Sequence, residues 1–314
     1  MGKQLIRQTP KGMPTAGETS EVVSRMQKPF LVAGSRAIKT RDNRSPSYDI
    51  HANFQFSQGN LADFSSKQAI IFLHGYNTTS SEALGVFKQF FNSLTVAFNR
   101  EPNVDLAEIG FCGFTWPGDT GGIYFNEAQE YAHYSGVALY KLITEMHGVG
   151  ATSVSLISHS LGAHVLLRAL SILGERLYRG HDLKRVQHAL LLGAAVEDDV
   201  FERPELMAEY HFPESAFGLV TSRGDEVISG PFIINERDKA LGFNGPESMR
   251  PLQSLARRVK DVLGDDEKFV FEVHDFSPKS AVIMNPKLWV DSHGGYWNTQ
   301  EQLNYYINLL KTTN

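Results

Sequence analysis

From residue 69 onward, short apolar runs alternate with longer stretches in which apolar residues recur every three or four positions. Each such pair predicts a strand followed by a helix. Ala69–Leu73 is apolar throughout and predicts a buried strand, after which Leu84, Phe87, Phe91 and Leu94 fall at helical spacing within 81–98. The pattern recurs as strand 108–114 with helix 127–146, and as strand 154–157 running directly into helix 161–173. Further strands are predicted at 189–192, 217–221 and 269–273, with a basic helix at 252–263 and a closing helix at 299–310. Strands that alternate with helices favour parallel pairing through crossover connections, with helices on both faces of the sheet.

The chain opens differently. Apolar runs at 30–33 and 50–56 flank the polar stretch 41–47 and predict an antiparallel hairpin. Residues 1–27 are polar and without sustained period, which predicts a flexible N-terminal tail. No internal repeat or linker divides the remainder, so residues 28–314 are expected to form one domain.

Composition narrows the partners. Hydrophobic residues are 42% and charged residues 21% of 314, an average balance that predicts a packed core. A formal net charge of -5 disfavours nucleic acid and anionic lipid, which attract basic proteins. Cys112 is the only cysteine, so no intrachain disulfide can form, and its place in the apolar run 109–114 predicts a buried, inert thiol. The N-terminal residues lack the apolar stretch of a secretory signal, Ile6 stands where myristoylation requires Ser or Thr, and no run approaches the ~18 apolar residues of a membrane span. A cytoplasmic protein without an integral membrane segment is expected. The eleven histidines are scattered, with no His-Glu-x-x-His or paired-Cys spacing, so neither metal nor other cofactor is expected. Nothing in the sequence specifies an oligomeric state.

Chemistry concentrates in Val154-Ser-Leu-Ile-Ser-His-Ser-Leu-Gly-Ala-His164, where an apolar strand meets a helix with Ser160 at the corner. A sharp strand-to-helix turn pushes a serine hydroxyl out of the sheet, beside a helix N-terminus that offers N–H groups to developing negative charge. Gly162 supplies the small neighbour such a turn needs, whereas position 158 carries Ser where the motif prefers Gly. The competing reading of Ser160 is a helix cap. His159 and His164 read as local packing groups. A second apolar strand ends at His74-Gly75-Tyr76, where Gly75 would let the backbone bend so that the N–H groups of Tyr76 and Leu161 form a two-donor oxyanion hole; the competing reading is an ordinary strand-ending turn with His74 packed in the core.

Together the phrases HGYN, GFTWPGD, SHSLGAH, SRGDEV and DSHGGYW resemble the α/β-hydrolase superfamily, in an esterase- and lipase-like bacterial branch, over roughly residue 30 to the C-terminus. The resemblance implies the α/β-hydrolase fold, an α/β class with a mostly parallel central sheet of about eight strands and helices on both faces. It also implies a catalytic domain over 28–314 and a triad ordered Ser, acid, His. Ser160 is then the nucleophile. Asp225, on the Gly-bearing turn after strand 217–221, is the expected acid, with Asp198 or Asp199 as the competitors and Asp238 in a solvated loop. His293, in the late loop before the last helix, is the expected base, and His274 competes. Trp116 and Tyr124 are candidates to line an acyl pocket, although Trp116 beside Pro117 serves equally well as a turn brace.

The reaction this implies is cleavage of a carboxylic ester, of a small molecule or a lipid, through an acyl-enzyme intermediate. The absence of a long apolar insertion between Leu192 and Phe217 favours small or soluble esters over a lidded lipase. Two other readings stay open: a lipase or thioesterase acting on lipid or thioester substrates, and a hydrolase-fold binding protein without turnover.

Overall fold

Eight strands form one sheet in the computed structural model, which describes residues 30–35, 54–120, 124–178, 186–202, 215–232, 239–254, 269–277 and 293–311. They are β1 (Leu31–Gly34), β2 (Gln55–Gln58), β3 (Gln68–Leu73), β4 (Ile109–Thr115), β5 (Ser153–His159), β6 (His188–Leu192), β7 (Ala216–Thr221) and β8 (Val270–Asp275). The sheet order is β2-β1-β4-β3-β5-β6-β7-β8, and every pairing is parallel except β1 with β2. The opening pair is therefore antiparallel as expected. Its second strand is β2 at Gln55–Gln58, which overlaps the end of the expected 50–56, and residues 50–53 lie outside the described residues.

Long helices follow β3, β4 and β5: α1 (Ser80–Phe98), α2 (Phe125–Gly148) and α3 (Gly162–Tyr178); a short α4 (Leu241–Asn244) follows β7, and α5 (Gln300–Leu310) follows β8. The boundaries follow from local chemistry. Thr79 and Glu82 form a capping box at the start of α1, as Thr299 and Gln302 do for α5, each satisfying two backbone donors that a helix end leaves unpaired. The expected basic helix at 252–263 is helical over 250–254, and its remainder lies outside the described residues, as do the tail 1–27, the loop 41–47 and Asp238.

Alternating side chains of the central strands feed two cores. Ala69, Ile71 and Leu73 of β3 and Val154 and Leu156 of β5 face α2 and α3, whereas Ile70, Phe72 and Ile157 face α1 and α5. The second core is aromatic: Phe72 stacks on Phe90 at 4.1 Å between centroids, and Trp297 meets both rings edge-on at 5.6 and 5.7 Å. Cys112 is buried in β4, and burial pushes its thiol pKa far above the ordinary range, as expected of an inert thiol. Among the described residues no helix is long and apolar enough to cross a membrane, and no cluster of three or more His, Cys, Asp or Glu could hold a metal ion.

From β3 the chain crosses to β4 on one side, then returns to place β5 on the other, so the strand order reverses beside β3. In parallel sheets ligands bind outside the carboxyl ends of strands at such a reversal. The segments just past β3 and β5 are His74-Gly75-Tyr76 and Ser160-Leu161.

Candidate active site

β5 ends at His159 and α3 begins at Gly162, so two residues make the whole turn. The reversal puts Ser160 at φ +55°, a left-handed conformation that costs a non-glycine residue about 1–2 kcal/mol. Neighbouring backbone holds it there. The Ser160 N–H donates to Leu192 O at 2.9 Å, and the Ala195 N–H donates to Ser160 O at 3.2 Å. The turn also needs close approach to the end of β3. A Cβ on Gly162 would lie 2.6 Å from His74 O, and one on Gly75 would lie 2.9 Å from the Ser160 Cβ. Ser158, at the position where the elbow motif prefers glycine, is accommodated inside the sheet with its hydroxyl buried and without a hydrogen-bond partner among the described residues.

His293 bridges to this serine. Its Nε2 lies 2.8 Å from Ser160 Oγ, and its Nδ1 lies 2.7 Å from Asp225 Oδ2. In the neutral tautomer with the proton on Nδ1, the ring donates to the carboxylate and accepts from the hydroxyl. Asp225 is fully buried. Burial alone would raise its pKa, but the His293 charge, hydrogen bonds from His293 and Tyr296, and the Ile228 N–H hold the carboxyl below its ordinary value. The structure thus joins Ser160, His293 and Asp225 in one hydrogen-bonded chain; Asp225, not Asp198 or Asp199, meets the imidazole. His274, the competing base, stacks on Tyr305 at 4.6 Å from the edge strand β8.

The loop after β3 is held through a side chain. Trp116 donates its backbone N–H to His74 Nε2 at 3.1 Å, so the neutral ring carries its proton on Nδ1, which donates to Gly75 O at 2.8 Å. A trans peptide sets C=O and N–H antiparallel, so with Gly75 O turned toward the His74 ring, the Tyr76 N–H points away from it. After Ser160, the Leu161 N–H donates to no backbone carbonyl among the described residues, while the amides of Ala163 and His164 close the first turn on Ser160 O and Leu161 O. Trp116 itself is wholly buried, stacked 5.5 Å from the His74 ring. Tyr124 is 50% exposed immediately before α2.

Two contacts go beyond the sequence reading. Tyr296 donates its hydroxyl to Asp225 Oδ2 at 2.7 Å, and His159 donates its Nε2–H to His293 O at 2.7 Å. His159 therefore does more than pack, because it ties the end of β5 to the backbone of the histidine loop. Burial, with the His293 charge next in size, pushes its pKa down to about 3 and keeps it neutral. The only local signal for either contact is adjacency, since His159 precedes the serine and Tyr296 follows His293 by three residues.

A mostly parallel sheet with a left-handed serine between strand and helix, at the point where strand order reverses, defines an α/β hydrolase. The chain belongs to the family described as "Alpha/beta hydrolase of unknown function (DUF900)", whose model matches residues 53–260, more than half of the chain. The matched span includes Ser160 and Asp225 and ends before His293. No curated protein matches the chain. Among solved structures, an esterase of Pyrococcus furiosus is similar at 14% identity, covering 80% of this chain and 86% of its own, with a TM-score of 0.35. An S-formylglutathione hydrolase from Agrobacterium tumefaciens is similar at 15% identity, covering 79% of this chain and 86% of its own, with a TM-score of 0.36. Esterase PE8 is similar at 14% identity, covering 74% of this chain and 93% of its own, with a TM-score of 0.38.

Proposed function

We propose that the protein is a serine hydrolase that cleaves carboxylic esters through an acyl-enzyme on Ser160. The observation that carries this reading is His293 standing within hydrogen-bond distance of both the Ser160 hydroxyl and the Asp225 carboxylate. In the proposed cycle His293 takes the Ser160 proton as Oγ attacks the ester carbonyl, and Asp225 stabilises the imidazolium. The oxyanion accepts from the N–H groups of Tyr76 and Leu161, and collapse expels the alcohol with the proton from His293. Water then loses a proton to His293, attacks the acyl carbon and releases the acid, and the proton returns to Ser160. A positioned acid–base group typically contributes about 10²–10⁴-fold.

The test is labelling by a fluorophosphonate probe together with turnover of p-nitrophenyl esters of increasing chain length. Wild type should label and turn over, whereas Ser160→Ala and His293→Ala should lose nearly all turnover and Ser160→Ala all label. Full esterase activity in either variant overturns the reading. The chain-length series decides between small esters and lipid esters.

A further inference from the structure

We propose that Tyr296 is a positioning residue for the acid of the triad: its hydroxyl holds the Asp225 carboxylate in the rotation that meets His293 and tempers the charge it presents to the imidazole. The proposal rests on the serine-hydrolase reading and deepens it, assigning a role to a residue that touches no reacting atom.

Four donors meet the Asp225 carboxylate. Oδ1 accepts from the N–H groups of Val227 at 3.1 Å and Ile228 at 3.3 Å, and Oδ2 accepts from His293 Nδ1 and the Tyr296 hydroxyl, each at 2.7 Å. An ionised carboxylate has about four lone-pair sites and no proton to give, so the phenol is the donor and the acceptor capacity is filled. Two backbone contacts on Oδ1 leave Oδ2 able to swing about them, and the phenol fixes it from a second direction.

The phenol has a built place. Gly193, past the end of β6, sits at φ +51°, and a Cβ there would lie 2.5 Å from ring atoms of Tyr296 and 2.6 Å from its hydroxyl oxygen. The Gly193 N–H donates to Val220 O at 3.1 Å, which fixes that glycine against β7. On the other side the Tyr306 hydroxyl of α5 donates to the Tyr296 carbonyl. A ring needed only to fill space would require no oxygen; this one is buried with its oxygen on the carboxylate.

Charge follows from the same contact. Without the phenol, Oδ2 carries more negative charge toward His293, which favours the imidazolium over the neutral ring. The other titratable groups facing the cluster are His159 from β5, His74 after β3, Tyr306 from α5 and Asp275 ending β8, and the substitutions below alter none of them.

Steady-state kinetics on a p-nitrophenyl ester should show Tyr296→Phe lowering kcat roughly 3- to 30-fold with KM little changed, and moving the acid limb of kcat/KM to higher pH. Fluorotyrosine at position 296, nearly isosteric and a stronger donor, should move that limb to lower pH. Proton NMR gives a readout that needs no turnover: the His293 Nδ1–H resonance should move downfield in Tyr296→Phe. A wild type that takes no fluorophosphonate label overturns the hydrolase reading beneath the proposal. A labelled wild type whose acid limb and Nδ1–H resonance stay unmoved in both variants overturns the proposal alone.

Discussion

Trp116 grips His74 at both ends: its backbone N–H donates to the imidazole Nε2 at 3.1 Å, and its indole N–H donates to the His74 carbonyl at 2.8 Å. The first contact sets the His74 tautomer, and through Nδ1–H and Gly75 O that tautomer sets the direction of the Tyr76 N–H. The second closes the turn from below. Trp116→Phe retains most of the ring but removes the indole donor to the buried His74 carbonyl, a loss of about 1–3 kcal/mol of stability. If Tyr76 is turned away from the proposed oxyanion site, kcat should fall by as much as about 100–1000-fold, the usual effect of removing one such donor. Denaturant unfolding and ester kinetics on the same variant check both effects; an unchanged kcat would show that the indole braces only the fold.

Asp225→Asn tests the acid. The asparagine carbonyl can still accept from Val227 and Ile228, so the loop keeps its shape, but an NH₂ group then faces His293 Nδ1. Two donors cannot share one contact, so the imidazole moves its proton to Nε2 and can no longer accept from Ser160. The expected outcome is a loss of about 10⁴ in kcat with folding preserved, measured by ester turnover beside circular dichroism. Turnover within a few-fold of wild type would remove Asp225 from the mechanism.

Much of the fold could be read from the chain because its signals are local. The apolar runs at 69–73, 154–157 and 189–192 are short enough for strands and long enough to be buried, and the spacing of Leu84, Phe87, Phe91 and Leu94 belongs to one helix face. Ser160 stood out because strand, serine and helix are contiguous. The carboxylate that meets His293 was harder to single out. Asp198, Asp199 and Asp225 all follow strands, and only the sheet order and the loop bearing His293 bring one of them to an imidazole 68 residues away. The links from Tyr296 to Asp225 and from His159 to His293 O were not legible, because each joins elements that periodicity treats as independent. Trp116 was legible only as a pair of alternatives, pocket or brace, since a Trp-Pro turn carries no record of which backbone carbonyl its indole will reach.

Gly162→Ala tests the close approach of the elbow to β3. The added methyl would lie 2.6 Å from His74 O, a backbone atom that cannot swing aside as a flexible side chain can. Either the end of β3 or the start of α3 must move, and overpacking of this kind costs about 1–3 kcal/mol. Because the same contact sets the distance between the two proposed oxyanion donors, Gly162→Ala should lose stability and fluorophosphonate reactivity together. Thermal unfolding and the rate of labelling are the measurements; normal labelling in a destabilised variant would separate the glycine from the chemistry.

The acid sensitivity of the fold should trace to His159. Its ring is neutral in the native protein, with the pKa pushed from 6.5 down to about 3 chiefly by burial. Above the ordinary histidine value neither state holds a proton there, and the native contacts contribute in full. As pH falls from about 6.5 toward 3, the unfolded chain binds a proton that the native state refuses, and stability drains by up to ~1.4 kcal/mol per pH unit. Asp225 acts in a lower window. Its carboxyl is held below 3.8, so its contribution is present above that value and is lost only as pH falls through its lowered native value. The two groups are therefore separable by pH. His159→Gln can still offer an N–H to His293 O but has nothing to titrate, so its unfolding free energy should fall less steeply than that of wild type between about pH 6 and 4, by close to one proton's worth of slope. Urea unfolding of both proteins across that interval measures the difference, and parallel curves would mean that the buried imidazole takes up its proton without opening the loop that carries His293.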